Sequence, residues 1–490
     1  MRDQASGRSD VVVMKFGGTS VEDATAIART VGIVAGRRAK GLRPFVVVSA
    51  MAKVTDSLLA AAGAAGQSDR AGALAISARL RGRHLEAAAK LVDAAATNVP
   101  LSNALHAEFD ALDDLLRGIA AVGELTPRTT DLVVSFGERL SSRIVAAAFT
   151  HAGLNATHVD ARTCIITDDS FGKAVPLEDA IEQAMERIAL PMLDAGQLPV
   201  MGGFIGATAT GVTTTLGRGG SDFSAALAGG ALRSGAIEIW TDVDGIMTTD
   251  PRICPDALRV KTISFEEAAE LAYFGAKVLH PATILPAVQQ NIPVWVLNSR
   301  NPANEGTRIT AVAPPCKSPF KCIAVKKRLT IVDIVASRML MSHGYLKAVF
   351  DVFDKHRVVI DMVSTSEVSI SVTVDTSDRL PAIAADLRQI ADVKFESNKA
   401  LICMVGEDIR GHNGIAGEVF TAVGHVNVRM ISQGASEINM SFMIEEEDVE
   451  EAVRALHRAF FSGPDPAIFD VGAQSVQTVD VPAGAALPVA

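Results

Sequence analysis

Short apolar runs closed by glycine turns alternate with longer stretches of helical spacing over the first 300 residues. Residues 11–16 (VVVMKF) predict a buried strand running into Gly17-Gly18-Thr19-Ser20, and residues 24–35 carry the apolar spacing of a helix. Residues 44–50 (PFVVVSA) predict a second buried strand, so parallel β-α units are expected. Residues 57–122 are Ala-rich and helical, with breaks expected at Gly63, Gly66 and Asn98-Val99-Pro100, which predicts an inserted helical hairpin. A strand over 131–136 is expected next, with Gly137-Glu138-Arg139-Leu140 heading a helix over 141–151. Residues 198–201 read as a strand end broken by Gly202 and Gly203. A Thr/Gly loop, the run GRGGSD (217–222), an Ala-rich helix and a strand over 237–241 follow. Ser264-Phe265-Glu266-Glu267 is a capping box opening a helix through Lys277, which Pro281 stops or kinks, and 293–297 is a further strand.

Four prolines within 301–320 mark a domain boundary, and beyond it the chain repeats itself. Gly344, Phe350 and Ser366-Glu367 recur as Gly414, Phe420 and Ser436-Glu437, each 70 residues on. Each copy reads strand, helix, strand, strand, helix: 329–335, 346–355, 358–363, 368–375 and 381–390, then 401–405, 415–423, 426–431, 438–444 and 449–460. Two small α+β sandwiches are therefore expected, with helices on one face of each sheet.

Composition narrows the function classes. A chain of 490 residues, 48% hydrophobic and 21% charged, is expected to fold into two or three globular domains. Its net charge of −10, with only two Trp and two Tyr, argues against nucleic-acid partners and an anionic membrane surface. The longest uncharged stretch, 195–217, holds six Gly, five Thr and a Pro, so it reads as loop and strand and not as a membrane helix. The apolar run at 11–14 is too short for a signal peptide. Five cysteines without CxxC spacing fit neither a disulfide framework nor a zinc site, and a reducing cytoplasm is expected.

Two glycine turns after strands carry the candidate chemistry. At 217–222 the glycines let backbone N–H groups approach an anion at a helix start, and Arg218 adds a planar fork for a carboxylate or phosphate. Asp222 is placed at the N-cap, and Thr241-Asp242 ends the next strand, where α/β sheets hold ligands. At 15–19 a lysine stands beside the turn, a phosphate-binding arrangement, although no GxxxxGK[ST] is present. A glycine-rich loop beside a capping Asp is an equally good reading of 217–222 alone. Glu138 is an ordinary dipole partner at a helix start, or a ligand if its segment ends beside both glycine turns. His84 reads as a packing or surface residue.

Six ordered motifs then give a resemblance: KFGGTSV (15–21), VVVSAM and VTD (46–56), SFGERLS (135–141), GRGGSD (217–222), WTDVDGI and TDPR (240–252) and FGAKVLHP (274–281). Over about residues 10 to 470 the sequence resembles the aspartokinases of the amino acid kinase superfamily with a C-terminal tandem of ACT domains, most of all the lysine-sensitive monofunctional branch. The resemblance implies an α/β fold, a mainly parallel sheet sandwiched by helices, followed by two ferredoxin-like α+β regulatory domains. It implies a lead over 1–9, a catalytic domain over 10–312 with a helical insertion over 57–125, a linker over 313–327, ACT domains over 328–398 and 399–470, and a mobile tail over 471–490.

The implied reaction is transfer of the ATP γ-phosphoryl to the β-carboxylate of L-aspartate, giving 4-phospho-L-aspartate, the first step toward lysine, threonine and methionine. By the same likeness Lys15 and Asp222 are catalytic. Ser49, Thr55, Glu138, Arg218, Gly219, Gly220 and Ser221 bind aspartate, with Glu138 on its ammonium and Arg218 and Ser221 on its α-carboxylate. Lys15, Phe16, Gly17, Gly18, Thr241, Asp242, Met247, Arg252, Lys277 and Val278 bind ATP, the amides of Gly17 and Gly18 holding phosphates. Mg2+ rides on the nucleotide, with no dedicated metal site in the protein. Met247 departs from the Tyr common in the lysine-sensitive branch. L-Lysine is the implied feedback effector, with threonine as its rival, bound by Met339, Ser342, Tyr345, Leu346, Val359, Ile360, Asp361, Ser366 and Glu367. A homodimer through the ACT domains is expected, with a tetramer as the larger alternative. An inactive ACT-based sensor, or a sister kinase for another acidic substrate, are the competing readings.

Overall fold

The computed structural model describes residues 8–92, 95–274, 284–335, 344–376, 378–434 and 436–471. They divide into two compact units, residues 1–246 with 262–313, and residues 247–261 with 314–490. No helix among the described residues is long and apolar enough to cross a membrane.

The first unit opens with strand β1 (Arg8–Phe16), helix α1 (Ala24–Ala39) and β2 (Arg43–Val48). Asp23 caps α1 by accepting from the Ala26 amide, and Arg37 and Arg38 close it, as the helix dipole favours. The Ala-rich region is three helices, not a hairpin: α2 (Val54–Gly66), α3 (Arg70–Leu91) and α4 (Ala95–Val122). Gly66 ends α2, but Gly63 breaks nothing and Pro100 lies within α4. At the sixth helical position this proline gives up one intrahelical amide bond without ending the helix there.

Helix α5 (Pro127–His151) overturns the strand expected over 131–136. A short apolar run such as DLVVSF fits either state. The choice is made upstream, where Thr126 accepts from the Thr129 amide and Pro127 stands at the first helical position. Glu138 is therefore in the middle of a helix and not at its head.

There follow β3 (Ala156–Val159), β4 (Ile166–Thr167), α6 (Glu178–Asp194), β5 (Leu198–Gly202), β6 (Ile205–Thr208), β7 (Thr213–Thr215), α7 (Gly220–Leu232) and β8 (Ser234–Thr241). The unit closes with β9 (Thr262–Ser264), α8 (Phe265–Tyr273), α9 (Leu285–Gln289), β10 (Val294–Asn298) and β11 (Thr307–Thr310). The capping box of Ser264 and Glu267 is present.

The main sheet runs β3-β5-β2-β1-β8-β10-β11-β9, parallel except between β10 and β11, and β4-β6-β7 form a small second sheet. Val12, Met14 and Phe16 of β1 join residues from α1, α2, α4 and α5 in one core, the continuous burial expected of a central parallel strand. His84 is wholly buried and lies edge-on to Phe109 of that core. Its Nδ1 lies 2.7 Å from the Leu80 carbonyl, and burial pushes its pKa down to about 4, so it is a neutral packing residue.

The second unit holds β12 (Phe320–Val335), α10 (Tyr345–Lys355), β13 (Ile360–Thr365), β14 (Ser369–Asp375), α11 (Leu380–Leu387), β15 (Asp392–Gly406), α12 (Ile415–Ala422), β16 (Met430–Gln433), β17 (Asn439–Glu445) and α13 (Val449–Phe461). They make one antiparallel six-stranded sheet, β13-β14-β12-β15-β17-β16. The two expected sandwiches share strands: β12 and β15 each run through both, and their register shifts between Lys326 and Leu329.

Residues 247–261 pack in this unit. The Thr248 hydroxyl is 3.0 Å from His457 Nε2, Ile323 N–H donates to the Thr248 carbonyl at 2.6 Å, and Arg454 Nε donates to the Ile253 carbonyl at 2.8 Å. Arg259 pairs with Asp470 at 2.6 Å.

Candidate active site

Parallel strands β1, β2 and β5 end side by side, which brings their three following loops to one edge of the sheet. Ligands bind at such carboxyl edges in open α/β sheets. The cleft there, of about 430 Å³, is lined from those loops, from α5 and from the start of α7. Its residues include Lys15, Gly18, Ser49, Thr55, Glu138, Arg218, Gly219, Gly220, Ser221 and Asp222. Sequence positions up to 207 apart thus meet in one small-molecule cavity.

Lys15 is mostly buried, and its Nζ lies 2.7 Å from Asp222 Oδ1. The capping residue of α7 is Gly219, in the left-handed region at φ 73°, so Asp222 stands in the first turn and not at the cap expected from the sequence. The turn delivers Gly219, Gly220 and Ser221 to the cleft, with exposed Arg218 just ahead of them.

Glu138 is fully buried in α5. Its Oε1 accepts from the Ala50 amide at 3.1 Å, while Oε2 has no hydrogen-bond partner among the described residues. Burial raises its pKa to about 8, and the Ala50 amide only partly opposes the rise. The close approach of α5 to the 49–52 loop depends on Gly137, where a Cβ would come within 2.8 Å of the Ala50 Cβ. Ser141 reinforces the contact by donating to the Ser49 carbonyl at 2.6 Å. A buried carboxylate oxygen beside an open cleft is suited to a cation.

Two of the expected nucleotide contacts are altered. The Gly17 amide donates to the Trp240 carbonyl at 3.0 Å, so it is not available to a phosphate. Phe16 is wholly buried and stacks on Trp240 with 6.0 Å between ring centroids, so its side chain serves the core. Gly18 lines the cleft. Thr241 and Asp242 sit at the end of β8, Asp242 exposed. Met247 and Arg252 fall in the second unit, where Arg252 pairs with Asp250 at 2.6 Å. Lys277 and Val278 lie outside the described residues.

Lys53 and Phe204 also line the cleft and were not singled out by the sequence reading. Both adopt positive φ, 66° and 65°, which a side-chain-bearing residue rarely does, and such strain concentrates at functional sites. Phe204 is held there by its amide, which donates to Ser224 Oγ at 2.9 Å. Neither residue type signals a left-handed backbone, so neither position stands out in the sequence.

In the second unit Met339 and Ser342 lie outside the described residues. Tyr345 and Leu346 open α10, and Ile360 and Asp361 lie in β13 next to exposed Val359. Ser366 and Glu367 follow in the turn before β14, with Ser366 Oγ 2.7 Å from Ser369 Oγ. Both carboxylate oxygens of the buried Asp361 accept from Lys326 Nζ at 2.8 Å.

Residues 10–298 match the amino acid kinase family, and residues 332–385 and 402–460 match the ACT domain. The chain is 37% identical to lysine-sensitive aspartokinase 3 of Escherichia coli, over 92% of this chain and 100% of that protein. It is 38% identical to chloroplastic aspartokinase 1 of Arabidopsis thaliana, over 92% and 80%. Among solved structures, E. coli aspartokinase III with aspartate and ADP superposes with a TM-score of 0.79 at 35% identity, over 92% of this chain and all of that one. The same enzyme with lysine and aspartate gives 0.80.

Proposed function

The chain belongs to the amino acid kinase family, among its aspartokinases, and on that premise we propose that it phosphorylates L-aspartate from ATP, giving 4-phospho-L-aspartate and ADP. An oxygen of the β-carboxylate forms the new bond to the γ-phosphorus, and the bond from that phosphorus to the β,γ-bridging oxygen breaks. Such a transfer needs alignment and charge neutralisation more than covalent help.

The observation that carries the reading is the buried Glu138, its Oε2 unpartnered among the described residues at the cleft that also holds Arg218 and Lys15. A free α-amino acid needs that combination: an anion for its ammonium, a fork for its α-carboxylate and a cation at the phosphoryl end. Arg218 and Ser221 take the α-carboxylate, Glu138 the ammonium, and Ser49 and Thr55 orient the chain. Lys15, held by Asp222 at 2.7 Å, neutralises the charge of the transferring group. Asp222 is committed to Lys15, so we assign Mg2+ to nucleotide oxygens and water. Thr241 and Asp242 border the nucleotide.

We assign feedback by L-lysine to the second unit, with threonine the rival effector. Asp361 supports this, since it already holds a primary ammonium, that of Lys326. An incoming lysine ammonium must compete with it. Pairing of second units into a homodimer, and a cytoplasmic setting, complete the reading.

A hydroxamate assay with ATP-Mg and a panel of amino acids tests it. Acyl phosphate is expected from L-aspartate and little from L-glutamate, whose extra methylene displaces the reacting carboxylate. Equal turnover of the two would overturn the substrate assignment.

A further inference from the structure

We propose that Asp131, which does not line the cleft, is the positioning residue that sets the Gly217–Arg218 loop at a fixed place relative to Glu138. Asp131 is 2% exposed. Its Oδ2 accepts from the Gly172 amide at 2.9 Å and from the Thr215 amide at 3.0 Å, and its Oδ1 accepts from the Thr215 hydroxyl at 2.8 Å. Two segments are thereby clamped together. The Thr215 carbonyl in turn accepts from the Ala174 amide at 2.9 Å.

Two residues past Thr215 comes Gly217, and a Cβ there would stand 3.2 Å from the Gly172 carbonyl and 3.5 Å from Lys173 Cγ. The segment that Asp131 holds is thus the floor on which the Gly217–Arg218 turn rests. Asp131 and Glu138 are seven residues apart in α5, nearly two helical turns, so both carboxylates leave the same face about 10 Å apart. One rigid helix therefore carries the group that meets the ammonium and the group that places the α-carboxylate clamp. The other end of the turn is anchored separately: Ser224 Oγ donates to the Gly220 carbonyl and accepts from Phe204 N–H, both at 2.9 Å, and Asp222 meets Lys15. Disturbing Asp131 should therefore move the aspartate contact more than the phosphate contact.

The inference rests on the reading of Arg218 as the carboxylate clamp, so the experiment includes Arg218→Ala beside Asp131→Asn. Asparagine keeps the volume and can still take both amides on its carbonyl oxygen while its NH2 faces the Thr215 hydroxyl, but it removes the negative charge, so three charge-assisted bonds become neutral ones. In steady-state assays Asp131→Asn is expected to raise the aspartate KM about tenfold, the scale on which charge-assisted bonds weaken once the charge is gone, with the ATP KM within about twofold of wild type. Thr215→Val keeps both amide bonds, loses only the hydroxyl bond, and is expected to raise the aspartate KM about threefold with little change in Tm. If Arg218→Ala raises the aspartate KM while Asp131→Asn leaves it unchanged or raises both KM values equally, the positioning role is wrong and the clamp stands. If Arg218→Ala leaves the aspartate KM unchanged, the clamp is wrong and Asp131 loses its role with it. Should Asp131→Asn fail to fold, Thr215→Val decides, and an unchanged aspartate KM there overturns the proposal.

Discussion

Glu138 shows how one residue can oppose stability and serve binding. Its pKa of about 8 lies above its unfolded value of about 4.5, so near neutral pH the empty site holds a proton that the unfolded chain has released. Stability from this group is present in full below about pH 4.5 and is lost as pH rises toward 8, because the unfolded state sheds its proton first. Binding an ammonium requires the carboxylate, so aspartate must displace that proton. The aspartate KM is therefore expected to fall as pH rises from 6 to 8, by up to about tenfold per unit, and to level above it. Glu138→Gln should bind aspartate poorly at every pH and show no such slope. Its Tm should exceed that of wild type by more at pH 8 than at pH 6. A flat wild-type KM between pH 6 and 8 would remove the proton from the binding step. The identity of Glu138 as a site candidate was legible in its FGER motif. Its burial and its missing partner were not, because both arise from the docking of α5 on the 49–52 loop.

The same helix decides the outcome at the scale of elements. Strands β1, β2 and β10 were legible to within a residue or a few, since apolar runs between glycine or proline turns leave little choice. The N-terminal half of α5 was not, because DLVVSF carries no helical period and its cap lies upstream at Thr126. Packing of α4 on α5 adds a constraint no local pattern reveals. Glu108 of α4, 8% exposed, pairs with both Arg139 and Arg143 of α5, and Arg139 also lies over the Phe136 ring at 4.2 Å. Burial lowers the Arg139 pKa, and the charge of Glu108 acts against that shift. Removing one partner of a buried pair leaves an uncompensated charge, so Glu108→Ala is expected to cost about 3 kcal/mol or more in urea unfolding. Replacement of Glu86, whose partner Lys90 is in solvent, should change nothing measurable. A loss below about 1 kcal/mol for Glu108→Ala would mean that water reaches the two guanidinium groups after all.

At the scale of the whole molecule, the chain leaves the first unit after Ala313, among the four prolines of 301–320, and it also makes an earlier excursion that no local signal marks. Residues 247–261 leave the first unit after Ile246, pack in the second, and return at Thr262. Nothing local distinguishes that excursion from a loop, because its destination is set by partners 200 residues away. Thr248 makes the tie, with its hydroxyl 3.0 Å from His457 Nε2 and accepting from the Leu258 amide at 2.9 Å. Burial lowers the His457 pKa, so near neutral pH the ring is uncharged and the contact is an ordinary hydrogen bond. An effector bound to the second unit can inhibit only through a difference in free energy between two states of the kinase site. The strap is one physical carrier of that difference, because it is covalently continuous with the end of β8, where Thr241 and Asp242 lie. Thr248→Val keeps the shape and loses both bonds. If the strap transmits the effect, this variant should need about fivefold more lysine for half-inhibition, the scale of one net hydrogen bond. Its kcat without lysine should stay within about twofold of wild type, since Thr248 does not line the cleft. Activity at saturating aspartate and ATP across a lysine titration is the measurement. An unchanged inhibition curve in a folded variant would remove the Thr248 contacts from the coupling.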